Sequence, residues 1–106
     1  MDKNLTPTEE LVLKLIKQGT ANHPITRREL CFRANLKDSF VREIIGKLRD
    51  KGYRVVGSAT TKGYYIARSE KQYKEFREEY YRKAMTYLKR ISAMDGQTEG
   101  QVAMNG

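Results

Sequence analysis

Apolar residues along this chain recur at helical spacing three times, then at strand spacing, then at helical spacing again. Leu11, Val12, Leu15 and Ile16, with Leu13 beside them, form the buried face of a first helix. Thr6 is placed to cap it, Pro7 takes the first helical position, and Glu9 completes a capping box. Gly19 ends it. After the loop TANHPI, in which Ile25 anchors to the core, Thr26-Arg27-Arg28-Glu29 opens a second capping box. The short helix that follows runs to about Ala34, with Leu30, Cys31 and Ala34 inward. Asn35 tolerates the left-handed conformation of a tight turn, and Leu36 is the apolar plug beneath it.

A third helix starts at Asp38, read as its N-cap. Val41, Ile44, Ile45 and Leu48 share one face, which must be buried. Ser39, Glu43, Gly46 and Asp50 lie opposite, flanked by Phe40, Arg42, Lys47 and Arg49. Gly46 points outward, where Ala would favour the helix by about 1 kcal/mol. It either lets a partner surface approach closely or is a neutral surface choice. Lys51-Gly52 ends the helix. Tyr53–Val56 and Tyr64–Ala67 read as two short strands around a turn from Gly57 to Gly63. A lone hairpin is marginal in water, so this one must pack on the helices.

Residues 70–94 contain no Gly or Pro. Tyr73, Phe76, Tyr80, Ala84, Tyr87, Ile91 and Met94 recur there every three or four residues, averaging about 3.5, the coiled-coil period. A helix of this length spans about 37 Å, too long for so small a domain to cover. Either its C-terminal half pairs with a second copy, giving a homodimer through this stripe, or it folds back on its own domain. The expected fold class is therefore mostly α with a small β-hairpin: a winged helix-turn-helix plus a long C-terminal helix. The expected division is a domain over residues 1–68, the long helix over 69–94, and a disordered tail over 95–106, rich in Gly and polar residues.

Charge sharpens this picture. The 106 residues carry a formal +8. Residues 1–68 hold 14 Lys/Arg against 7 Asp/Glu, a net +7, whereas residues 69–106 hold 7 against 6, a net +1. The excess sits on the helix-turn-helix portion, where a phosphate-binding surface would need it. The single cysteine, Cys31, allows no intrachain disulfide and fits a reducing compartment. No apolar run approaches membrane-spanning length, and MDKNLT does not read as a signal peptide. The expectation is a cytoplasmic protein with no membrane partner.

Catalytic chemistry finds little to use. His23 stands alone in a loop before Pro24, and Cys31 faces inward on a short helix, so neither has a base or a partner at useful spacing. One His and one Cys cannot make a structural zinc site, and no phosphate loop or dinucleotide fingerprint occurs. No enzymatic activity, metal or cofactor is expected. Binding is better supplied. The start of the third helix would enter a DNA major groove, offering Lys37, Ser39, Phe40, Arg42 and Lys47. Arg42 can grip guanine with two hydrogen bonds and Ser39 can touch base or phosphate. Phe40, off the buried face, either meets a thymine methyl or packs on the second helix or the turn. Arg27 and Arg28 can hold a phosphate at the second helix's N-terminus. Arg54, Thr60, Thr61 and Lys62 are the hairpin's phosphate candidates. Outward Glu43 opposes phosphate unless it reads a cytosine.

The pattern ITRREL, then ANLKDSFVREIIGKLRDKGYRVVGS, then KGYYIA resembles winged helix-turn-helix proteins. These include the DNA-binding domain of the biotin operon repressor and a group of small phage-encoded proteins in which a GYYIA strand leads into a long charged helix. The resemblance covers about residues 5–94. It implies double-stranded DNA binding through Ser39, Arg42 and Lys47, in phage or mobile-element transcription or replication. Asn35 departs from the Gly usual at that turn, and Cys31 from the usual Ala. Winged helices also dock on proteins, so an inhibitor of a host protein is the alternative, and Glu43, Gly46 and the tyrosine-rich last helix would suit it.

Overall fold

Thr6 starts the first helix as expected. Its hydroxyl accepts the Glu9 amide hydrogen at 3.1 Å, and the Glu9 carboxylate accepts the Thr6 amide hydrogen at 3.0 Å, closing the capping box. The computed structural model describes residues 4–58 and 63–96. Within them the order is α1 (Pro7–Lys17), α2 (Arg27–Ala34), α3 (Asp38–Asp50), β1 (Val55–Ser58), β2 (Gly63–Ile66) and α4 (Glu70–Asp95). The protein is thus mostly helical, with one small antiparallel hairpin and a long C-terminal helix.

Val12, Ile16, Leu30, Val41, Leu48 and Val55 are fully buried, and α3 supplies the middle of this core. Its stripe Val41, Ile44, Ile45 and Leu48 is buried throughout. Leu11, expected inward, is instead 41% exposed. At 100° per residue it lies roughly 130° from the centre of the face made by Glu9, Val12, Leu13, Leu15 and Ile16. Leu13 takes the inward place.

Two helices end in the same way. Asn35 adopts the left-handed conformation, φ 57°, its N–H donating to the Phe32 carbonyl while the Leu36 N–H donates to that of Cys31. Gly52, φ 95°, does the same for α3, with Tyr53 N–H donating to the Leu48 carbonyl. Each reversal drops an apolar residue, Leu36 or Tyr53, against the core. The strands lie nearer the turn than their apolar runs suggested. Tyr53 belongs to the helix stop, and pairing runs from Val55↔Ile66 to Ser58↔Gly63, glycines included. The hairpin also gains a bridge. Ile25 and Tyr64 exchange both backbone hydrogen bonds, at 2.9 and 2.8 Å, so the loop before α2 lies beside β2. Gly63 permits this approach, since a Cβ there would sit 2.2 Å from the Ile25 carbonyl oxygen.

A first compact unit extends to Tyr73, past the expected boundary at residue 68, and a second begins at Lys74. The start of α4 is tied into the first unit. Arg54 bonds Glu70 at 2.5 Å and lies 4.0 Å from the centre of the Tyr73 ring, and Arg68 donates to the carbonyls of Lys17 and Gly19. No residue of α4 is buried. No described helix is long and apolar enough to cross a membrane. The tail expected over residues 95–106 lies outside the described residues beyond Gly96.

Glu9 is the one buried charged residue among those described, 4% exposed. Lys51 at the end of α3 donates to its carboxylate at 2.7 Å, so the α1 cap and the α3 terminus share one charge. That hydrogen bond, then the Thr6 amide, holds the Glu9 carboxyl below its ordinary 4.5, outweighing the opposing effect of burial. A depressed folded-state pKa gives stability that is present above the unfolded value and lost as pH falls through the folded one. Urea midpoints followed by circular dichroism should therefore fall less between about pH 6 and pH 3 for Glu9→Gln than for the wild type. At neutral pH, Thr6→Ala should lower the unfolding free energy by about 1 kcal/mol and Leu48→Ala by about 2–5 kcal/mol.

Candidate nucleic-acid interface

Burying one face of α3 leaves the other for solvent. Lys37, Ser39, Phe40, Arg42, Glu43 and Lys47 are all exposed along it. From Ser39 to Lys47 this face extends about 12 Å, enough to cross the width of a major groove.

Asp38 is not the N-cap. Lys37 occupies that position, with no side-chain cap, and Asp38 is the first helical residue. Its carboxylate instead braces two arginines. Oδ1 accepts from Arg27 Nε at 2.6 Å and Oδ2 from Arg42 Nε at 3.1 Å. An acidic residue in the first turn still complements the helix dipole, so the start of α3 loses little by the exchange. Arg27 is the more enclosed of the two. Asp38 first, and Tyr64 second, raise its pKa, so it joins α2, α3 and β2. Arg42 stays 62% exposed. Because Asp38 engages its Nε, the guanidinium is steadied one turn into α3 with its terminal amino groups left to reach a partner.

Further along, Lys47 lies 3.4 Å from Glu43, an exposed pair one turn apart. Such pairs contribute about 0.3–0.5 kcal/mol, so a phosphate can take Lys47 from Glu43 at little cost. Glu43 nevertheless adds negative charge to the middle of the face. Arg28 is exposed at the start of α2. The second capping box is half made. Thr26 accepts the Glu29 amide hydrogen at 2.9 Å, but the Glu29 carboxylate pairs with Arg33 at 3.5 Å.

Not all the basic excess faces outward. Arg49 donates to the carbonyls of Val55 and Gly57, both at 2.9 Å, and so pins β1 to α3. Arg54 pairs with Glu70 and lies over the Tyr73 ring, which raises its pKa and ties it to the start of α4, though the pair is exposed. Thr60, Thr61 and Lys62 lie outside the described residues. The structure thus gathers Arg27, Lys37, Ser39, Phe40 and Arg42 around the start of α3, with Lys47 farther along the same face.

Phe32 escaped the sequence reading and is 85% exposed. The signal was available: two residues after buried Leu30, it points about 200° away around the helix. Phe40 is partly covered at 43%. Cys31 is half-buried against the core, and His23 is exposed in its loop. Among the described residues no group of three or more His, Cys, Asp or Glu side chains is arranged to hold a metal ion.

A Cβ at Gly46 would meet nothing within 4 Å. Gly46→Ala should therefore raise stability by about 0.5–1 kcal/mol, measured as a higher urea midpoint. If this face docks closely on a partner, the same methyl group lowers affinity while the fold gains stability; unchanged affinity makes the glycine a neutral surface choice. Compared with known proteins, the chain matches no family model, no curated protein and no solved structure.

Proposed function

We propose that this chain binds double-stranded DNA as a winged helix-turn-helix protein, with α3 in the major groove and the β1–β2 hairpin beside it as the wing. The observation that carries this reading is the exposed face at the start of α3, where Asp38 holds Arg42 outward beside Lys37 and Ser39. The +7 of residues 1–68 supplies the electrostatic attraction that phosphate binding requires. The sequence resemblance to small phage-encoded winged-helix proteins favours work in transcription or replication for a phage or mobile element, inside the cytoplasm. On this reading Arg28 and Lys47 meet phosphate, and Arg42 and Ser39 reach base edges.

A second reading has one observation of its own. Phe32 is almost fully exposed on α2, and an apolar ring suits a protein surface better than a phosphate backbone. On that reading the domain docks on a protein, such as a host protein inhibited by a phage.

Titrating a labelled mixed-sequence duplex at several salt concentrations separates the two. DNA binding should give a log–log slope of about −0.9 per phosphate neutralised, and Lys47→Ala should flatten it by about one unit. On a selected site, Arg42→Ala should cost about 1–3 kcal/mol and relax base preference. Absence of duplex binding at low salt, with Phe32→Ser abolishing capture of a protein partner, would transfer the function to docking.

A further inference from the structure

The second half of α4 carries more apolar surface than the single stripe seen in the spacing. Tyr81, Tyr87, Leu88, Ile91 and Met94 are each 49% exposed or more. At 100° per residue, Tyr81 and Leu88 lie on one flank of the seam formed by Tyr80, Ala84, Tyr87, Ile91 and Met94. The other flank carries Lys83 and Arg90, and the Arg90 guanidinium sits 5.8 Å from the Tyr87 ring centre, at the seam's edge. The outward positions Glu75, Arg82 and Lys89 are all charged and exposed.

We infer that residues 80–95 of α4 pair in parallel with the same segment of a second copy, in register, as a short two-stranded coil. The inference does not depend on the DNA reading. The flanking charges choose the direction. In a parallel coil each residue of the Lys83–Arg90 flank faces the partner residue about five places further on. Arg90 then meets Asp95 of the second copy, twice by symmetry, and the aliphatic stem of Lys83 lies over Leu88. In an antiparallel coil like flanks face each other. Lys83 and Arg90 would then oppose each other or themselves, placing basic against basic in any register that buries the seam. Arg77, at the seam position one heptad before Ala84, bounds the pairing on its N-terminal side.

The paired surface is small. Burying these side chains removes on the order of 500 Å² per copy, or about 1,000 Å² in total, the lower limit for a specific interface. An interface at this limit is weak and sensitive to a single charge. Small Ala84 lets the two backbones approach at the middle of the seam, between the rings of Tyr80 and Tyr87.

Sedimentation of the full chain from about 1 to 100 μM tests the pairing, with circular dichroism confirming that each variant keeps its helix content. The wild type should shift from monomer to dimer over this range. Arg90→Glu should weaken the dimer about tenfold, and adding Asp95→Lys should restore it. Ile91→Asp should abolish it. With Cys31→Ser removing the native thiol, Met94→Cys should form an intermolecular disulfide under mild oxidation, because only the parallel register brings the two Met94 positions together. A wild type that stays monomeric at 100 μM overturns the inference. So does a dimer that survives Ile91→Asp, or one that neither cross-links through Met94→Cys nor responds to the Arg90 and Asp95 exchanges.

Discussion

Four aliphatic side chains on α3 hold the first unit together. Val41, Ile44, Ile45 and Leu48 are the meeting point of α1, α2 and β1, and all four are buried. A domain of some seventy residues has little apolar surface to spare, so these positions tolerate no polar group. The same constraint creates the exposed face of α3. A helix with one face buried must present the other, and with α3 fixed at both ends the residues on its far side stand in a rigid row. Asn35 and Gly52 supply those fixed ends, each reversing the chain sharply and dropping an apolar residue onto the core.

The basic residues divide by what they touch. Arg49 and Arg68 donate to backbone carbonyls, and Arg54 is shared between a carboxylate and an aromatic ring. These contacts join the hairpin and the start of α4 to the helices. Lys37, Arg42 and Lys47 are exposed. An exposed charge costs little to retarget, since its present ion pair is weak. Net charge along the sequence therefore overstates the surface available to a phosphate chain, and the exposed group around the start of α3 is the better measure of it. Asp38 links the two classes, joining α2 to α3 through Arg27 while steadying Arg42 at the surface.

α4 obeys different rules from the first unit. Its first turn is bound by Arg54 and Ser69, whereas none of its residues is buried. A helix of 26 residues with exposed Tyr, Leu, Ile and Met leaves apolar surface in water, which self-association would remove. The parallel pairing inferred above follows from the signs of the flanking charges, not from the apolar seam, which would suit either direction.

Local chemistry wrote much of this structure into the sequence. Helix periodicity, the Thr6–Glu9 box, the Asn35 and Gly52 stops and the buried α3 stripe were all legible, because each depends on residues within one or two turns of each other. Errors arose where distant residues competed for the same group. Asp38 reads as a cap until Arg27, eleven residues away, claims its carboxylate. Leu11 reads as core until the direction of the whole α1 face is known. Some groups read correctly gain a second partner from afar: Glu9 caps α1 and also takes Lys51, and Arg54 pairs with Glu70 over the Tyr73 ring. The sequence by itself determined the elements, their order and the surplus of positive charge. Only the tertiary structure decided which charges face each other and which face water, because a side chain's partner is set by distance in space, and packing brings together groups that lie far apart in the chain.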